Sequence, residues 1–254
     1  MPDRLLSGAA RCPRALALLC VFIPAAMLLS CAHAAGAPEG SEPNPAGATY
    51  HSHDVAPAVV PASEGKPSSL DLAYVDQVTH DLQRALGHYP PVFATPGDRK
   101  EAVTDVAQFG AMLDAAGQVP PAQVEVIWRA AVIYALAHRL DQAGTPERAH
   151  ALFTKALQLA PEHAAANYFF GLFLSGAGRS KQALPHLQKA QAAGVAPADR
   201  ALGMAYLTTG DVPRAVDCLR RHLKKHPGDQ QVAALLQGLE KGKVKVKVEQ
   251  VQVQ

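Results

Sequence analysis

The sequence predicts an all-α fold: a helix–turn–helix solenoid of about three repeats, with a helical extension before it and a capping helix after it. Three observations predict this. One residue pattern recurs three times between Ala130 and Pro227, the copies are spaced as stacked helix pairs require, and turn and cap residues stand at the ends of the helical runs. The first copy reads Ile133-x-x-Leu136-Ala137-x-x-Leu140, then Ala149-x-x-x-Phe153, Ala156 and Pro161. The second reads Asn167-x-x-Phe170-Gly171-x-x-Leu174, then Ala183-x-x-x-Leu187 and Ala190. The third reads Asp199-x-x-Leu202-Gly203-x-x-Tyr206, then Ala215-x-x-x-Leu219 and Pro227. Ala149 and Ala183 are 34 residues apart and Ala183 and Ala215 are 32 apart, so the second copy is two residues short.

Each recurring position has a physical reason. Ala137, Gly171 and Gly203 on the first helix of a pair, and Ala149, Ala183 and Ala215 on the second, are small enough to let antiparallel helices approach closely. Leu136, Phe170 and Leu202 fill the space beside that contact. A large residue at Ala183 would overpack it, at about 1–3 kcal/mol. Gly178, Gly194 and Gly210 follow helical runs as C-terminal stops do. Thr145-Pro146, Ser180 and Asp211 read as helix starts, with Pro146 suited to the first helical position.

Period and offsets together resemble the tetratricopeptide repeat, a helix–turn–helix unit of about 34 residues. That resemblance implies a protein-binding module whose first helices line a concave groove. The family's groove positions, carried onto this sequence, fall at Tyr134, His138 and Asp141 in the first repeat. In the second they fall at Tyr168, Leu172 and Ser175, and in the third at Arg200, Met204 and Thr208. Tyr134 and Tyr168 would form an aromatic ladder for a peptide or helix, since aromatics and arginine are the usual anchors of binding energy. The alternative is that the tyrosines pack against the helices that precede the repeats. The groove lacks the clustered lysines and asparagines of repeats that grip C-terminal carboxylates, which argues against that mode.

The 254 residues are 48% hydrophobic and 18% charged, which suits one or two globular domains. Arg4, Arg11, Arg14 and Asp3 lie in the first 31 residues. Taking three from the 24 basic residues and one from the 22 acidic ones leaves 21 of each. A neutral remainder argues against a nucleic-acid partner.

Residues 1–31 read as a signal peptide. Arg4, Arg11 and Arg14 make a positive start, and Ala15 to Leu29 is apolar except at Pro24. Fifteen residues are short for a membrane span, which needs about 20. Two cleavage readings compete. Leu28-Leu29-Ser30-Cys31 resembles the bacterial lipobox, which implies lipidation of Cys31 and a membrane partner through that anchor. Ala32-His33-Ala34 instead fits ordinary cleavage to a soluble exported protein. Ala32 after the cysteine resembles the outer-membrane sorting pattern, so the expected location is the envelope: an outer-membrane lipoprotein facing the periplasm, or a periplasmic or secreted form. Cys12, Cys20 and Cys31 belong to this leader, leaving Cys218 alone in the fold, where a small buried hydrophobe is the simpler reading.

Residues 32–66, rich in Ala, Pro, Gly, Ser and Glu without helical period, predict a disordered linker. His51-Ser52-His53-Asp54 within it is a weak ligand set, and no metal is assigned. Residues 67–118 predict a helical extension of two helices. One starts near Ser68-x-x-Asp71 with Val75, Val78, Leu82 and Leu86 as its face. The other starts near Asp98-x-x-Glu101 with Val103, Val106, Phe109 and Leu113. They form either a degenerate repeat or a cap. The repeat domain spans 119–241, opening at Pro120-Pro121 with a long helix through Trp128, which is expected to pack on the extension. Asp229 starts a last helix through Val232, Leu235, Leu236 and Leu239, covering the apolar end of the stack. Residues 242–254 form a basic Val/Lys/Gln tail: a frayed end, a strand for a partner's sheet edge, or a contact for an anionic surface.

No catalytic motif, phosphate-cradling loop or paired Cys-x-x-Cys is present in the sequence, so no enzyme activity and no cofactor is assigned. His150, His163, His186, His222 and His226 are expected on exposed helix faces or helix ends. The function expected is an exported scaffold or adaptor that binds a peptide or protein, similar in layout to repeat lipoproteins that assist envelope machines. An accessory regulator of a cell-wall enzyme is the alternative, and an enzyme is a third.

Overall fold

The computed structural model describes residues 47–63, 68–87, 90–120 and 123–242. Residues 1–31, expected to be a signal peptide ending at Cys31, and the tail from Lys243 onward lie outside these. Among the described residues the chain forms nine α-helices: α1 Leu72–Ala85, α2 Pro96–Ala116, α3 Val124–His138, α4 Thr145–Leu159, α5 Ala164–Gly176, α6 Ser180–Ala192, α7 Ala198–Thr208, α8 Val212–Lys225 and α9 Gln230–Glu240. The starts follow local chemistry. Asp71 accepts from the backbone of Ala73 and Tyr74, Asp211 from Arg214 and Asp229 from Val232. α2 begins earlier than its Asp98-x-x-Glu101 motif suggests. Thr95 is the N-cap and Asp98 sits inside the helix, completing a reciprocal capping box.

α3 packs on α4, α5 on α6 and α7 on α8, as the repeat pattern requires. The crossing points are visible in two pairs. A Cβ on Gly171 would stand 2.6 Å from Leu187 Cγ and Cδ2, and one on Gly203 would stand 2.7 Å from Leu219 Cδ2. Ala183 and Ala215 are fully buried opposite them. Phe170 lies stacked on Phe153 at 5.2 Å, joining the second pair to the first. The α5–α6 and α7–α8 turns each pass through a left-handed glycine, Gly178 and Gly210. The α3–α4 connection is longer. It runs from Arg139 to Gly144, with Asp141 itself left-handed at φ 59°.

α2 packs on α3, and α1 lies beside α3. Arg129 on α3 forks onto Asp76 of α1 at 2.7 and 2.8 Å, and Arg139 donates to Leu86 O at 2.6 Å. Both pairs are 53 residues apart, so α1 and α3 run side by side in one direction. Arg148 and Lys155 of α4 reach Asp114 and Gly117 O on and after α2, so α2 flanks α4 in the same way. α1 and α2 do not pack closely on each other as α3 and α4 do. Trp128 stacks on Phe169 of α5 at 5.5 Å, and it is its neighbour Arg129 that reaches the extension.

The disordered-linker expectation fails over residues 47–63. Ala48 bridges Phe93, donating to Val92 O and accepting from Ala94 N. Tyr50 is buried, its backbone N–H bonded to Asp98 Oδ1 and its hydroxyl to Asp105 Oδ2. A 3₁₀ turn at Ala56–Ala58 then leads into a two-stranded hairpin of β1 Val59–Val60 and β2 Ser69–Leu70. The physical reason is in α1 and α2, which pack little on each other. Tyr50 and His53 of this arm bond to the carboxylates that the two helices present. Composition alone gives no sign of such a contact.

Candidate protein-interaction face

The expected groove residues fall into three groups. The exposed ones are His138, Leu172, Met204 and Thr208, with Leu172 37% and Met204 45% accessible. Arg200 and Ser175 are half-buried. Arg200 has Asp229 at 3.9 Å, and the Ser175 hydroxyl is a buried polar atom with no hydrogen-bond partner. The tyrosines form no exposed ladder. Tyr168 is 6% accessible and edge-on to Phe169, and burial pushes its hydroxyl up to about 12. Tyr134 lies against α2, where a Cβ on Gly110 would meet its ring at 3.4 Å. Burial and then the Asp114 carboxylate raise its hydroxyl above the ordinary value.

Two further positions differ from the expected register. Asp141 is not on the face of α3. It sits in the following turn, exposed, with Arg99 at 3.6 Å. Equal spacing between Ala137 and Ala149 concealed this, because the helix ends early and the turn takes up the difference. Thr208 is five residues past Gly203, whereas Ser175 is four past Gly171. The equivalent of Ser175 is Leu207, which is buried, while the Thr208 hydroxyl donates to Ala205 O. Directly after the two crossing glycines, in register, stand Leu172 and Met204. These are two large apolar side chains left accessible on neighbouring first helices of the stack.

Away from this row, two buried polar groups one repeat apart tie the first helices to the second helices. Asn167, fully buried, donates to Pro161 O and His163 O, and its carbonyl lies 2.9 Å from His186 Nδ1. Asp199, one repeat later, takes Arg221 at 3.0 Å, Lys225 at 2.8 Å and Gln191 at 2.5 Å. Burial opposes its charge, but Lys225, Gln191 and Arg221 hold its pKa below the usual carboxylate value. These residues head the second and third copies of the sequence pattern, and that position is the signal by which they could be found. They also correct the placing of the histidines. His222 is buried and bonded to Asp229 at 2.9 Å, while His150 and His186 are half-buried against Phe170. Cys218 is buried, and burial pushes its thiol up, away from nucleophilic character.

At the other end of the face, Glu125 gathers His163, Trp128 and Arg129 at 2.8, 2.9 and 2.7 Å. The bond from His163, then those from Trp128 and Arg129, hold its carboxyl at about 2 against the cost of burial. Arg129 also lies over the Trp128 ring at 4.3 Å. His53 in the weak metal tract is committed to Asp105 and Asp81, and His51 is exposed beside Glu101 at 3.9 Å.

Comparison with known proteins gives a family. Residues 88–235 match the family described as Tetratricopeptide repeat. No curated protein matches the chain in sequence. Among solved structures, a crystal structure of MamA is 23% identical, with TM-score 0.45, and covers 58% of this chain and 80% of its own. TTC0263, a thermophilic TPR protein in Thermus thermophilus, is 18% identical, with TM-score 0.45, over 67% of this chain and 92% of its own. A double mutant titled MamA RS-1 ArsTM is 19% identical, with TM-score 0.38, over 66% and 96%.

Proposed function

The chain belongs to the tetratricopeptide repeat family, and from that premise we propose that it is an exported protein-binding scaffold or adaptor of a bacterial envelope. In this reading a lipid on Cys31 holds it to the membrane, and a peptide or protein docks on the row that contains Leu172 and Met204. The observation that carries the docking surface is the matched exposure of these two side chains directly after the crossing glycines. Large apolar residues left accessible in register on a rigid face mark interaction sites more often than isolated ones do. Half-exposed Arg200, four residues before Met204, adds an anchor of the type that hot spots favour. The leader motif Leu28-Leu29-Ser30-Cys31 supports export and anchoring.

A photo-crosslinking residue placed in cells at Leu172, at Met204 or at exposed Lys181 on α6 tests the surface. A discrete adduct from the first two and not from the third is expected. Equal yield at all three, or none at any, would remove the surface from consideration. Intact mass of membrane-extracted protein, wild type against Cys31→Ala, tests the anchor separately. Acyl mass on a chain starting at Cys31 is expected, and an unmodified chain starting at Ala35 would refute it.

A further inference from the structure

Left-handed glycines follow α5 and α7 at Gly178 and Gly210, and a third, Gly242 at φ 63°, follows α9. Gly178 to Gly210 and Gly210 to Gly242 are each 32 residues, so α9 repeats α7. The chain after Gly242 therefore stands where the second helix of a fourth pair would begin. Two features oppose a helix there. In the register of the crossing Gly203, α9 carries half-buried Leu235, so a second helix could not cross it as closely as α8 crosses α7. Residues 243–254, outside the described residues, alternate valine with lysine or glutamine and have no helical period. Beside α9, α8 leaves a shallow groove lined by its own Val212, Pro213, Val216, Asp217 and Arg220 and by Glu240 of α9. Val212 and Val216 are half-buried and Pro213 is exposed. Arg220 is shared between Asp217 at 3.8 Å and Glu240 at 2.7 Å.

We propose that residues 243–248 of the same chain occupy this groove as an extended segment, closing the end of the stack in place of a second helix. Position, length and chemistry all fit that occupant. Glu240 lines the groove and Gly242 follows it by two residues, so the segment starts at the rim. From Val212 to Arg220 α8 rises about 12 Å, and six extended residues span about 20 Å, so the segment is long enough to cover it. Alternate side chains of an extended chain face opposite ways. Val244, Val246 and Val248 then lie together over Val212, Pro213 and Val216. Lys243, Lys245 and Lys247 stand on the other face, from which their long stems reach the carboxylates at the rim. Asp217 is 67% exposed and no closer than 3.8 Å to Arg220, which leaves it room for a second cation. The valine phase slips at Glu249-Gln250, and the docked run ends before it.

The test uses the full chain in detergent, with a benzophenone amino acid in place of Val246. Irradiation is expected to give an adduct that runs as a single chain and maps to residues 212–220 or to α9. Asp217→Lys, on an exposed side chain, is expected to lower that yield about threefold at unchanged helicity. Lys181→Glu, on exposed α6 surface away from the groove, should leave the yield as it is. Adducts scattered along the chain mean a free tail and overturn the proposal, as does the absence of any adduct. The same residues labelled in a two-chain adduct mean that the segment docks on a second copy, which overturns it too. So does a yield that Asp217→Lys leaves unchanged, because the lysines then find no carboxylate in the groove.

Discussion

The hydroxyl of Tyr50 donates to Asp105 Oδ2 at 2.7 Å, tying a segment that precedes the first helix to the buried side of α2. Burial first, and the Asp105 carboxylate next, raise that hydroxyl well above its ordinary value, so it stays a donor at any pH the fold survives. Tyr50→Phe removes one of the donors that Asp105 receives and is expected to cost about 1–2 kcal/mol. Asp105→Ala strands the Tyr50 hydroxyl, the His53 amide and the His53 ring together. The arm then escapes to water, so residues 47–63 become the preferred site of limited proteolysis while α3 to α9 keep their helicity. Proteolysis with mass mapping, beside circular dichroism, distinguishes that outcome from general unfolding.

Gly171 and Gly176 lie in the same helix and differ in what surrounds them. An added methyl at Gly171 enters the Leu187 side chain at 2.6 Å, whereas nothing lies within 4 Å of one at Gly176. Gly171→Ala is therefore expected to lose about 1–3 kcal/mol despite the better helix propensity of alanine. Gly176→Ala should be neutral or gain up to about 1 kcal/mol. Urea denaturation of the two variants decides it, and equal effects would mean that α5 and α6 do not cross at this residue.

Gly171 and Gly203 were legible because a close crossing demands a small residue at a fixed offset, and the offset repeats. The helix pairs and their order followed from the same rule, and the closing helix from its Asp229 start and the apolar Val232, Leu236 and Leu239. The arm was not legible, because its Ala, Pro and Ser residues carry no period and its contacts depend on Asp81 and Asp105, far along the chain. Asp141 was misplaced for a related reason. An unchanged spacing between Ala137 and Ala149 says nothing about where the helix between them stops. Tyr134 shows the remaining limit, since register identifies the face a residue starts from but not what α2 lays over it.

The Glu125 cluster gives a pH dependence whose sign can be worked out. Its carboxyl is held at about 2, below an ordinary value of 4.5, chiefly by the bond from His163. A carboxyl depressed in the fold stabilises it above its unfolded value, and that contribution disappears as pH falls through the folded value. The stability difference between wild type and Glu125→Gln should therefore be constant near neutrality and shrink between about pH 4.5 and about pH 2. Because Glu125 is half exposed, solvent screening keeps the effect small. Thermal melts of both proteins across that interval measure it, and a difference that grows with acid would contradict the assignment.

Binding and stability should come apart on the exposed face. Leu172 and Met204 are accessible enough that Leu172→Asp or Met204→Asp is expected to change stability by no more than about 0.5 kcal/mol. Tyr168 is buried, and Tyr168→Ala should cost about 3–5 kcal/mol, as other large aromatic truncations in cores do. A partner that docks on the proposed row is lost in the aspartate variants at unchanged melting temperature. In Tyr168→Ala the same loss would accompany a lower melting temperature and would say nothing about contact. Melting curves run beside crosslinking yield separate the cases. If Leu172→Asp and Met204→Asp keep full crosslinking at unchanged stability, the partner does not use this row, whatever the tyrosine variant does.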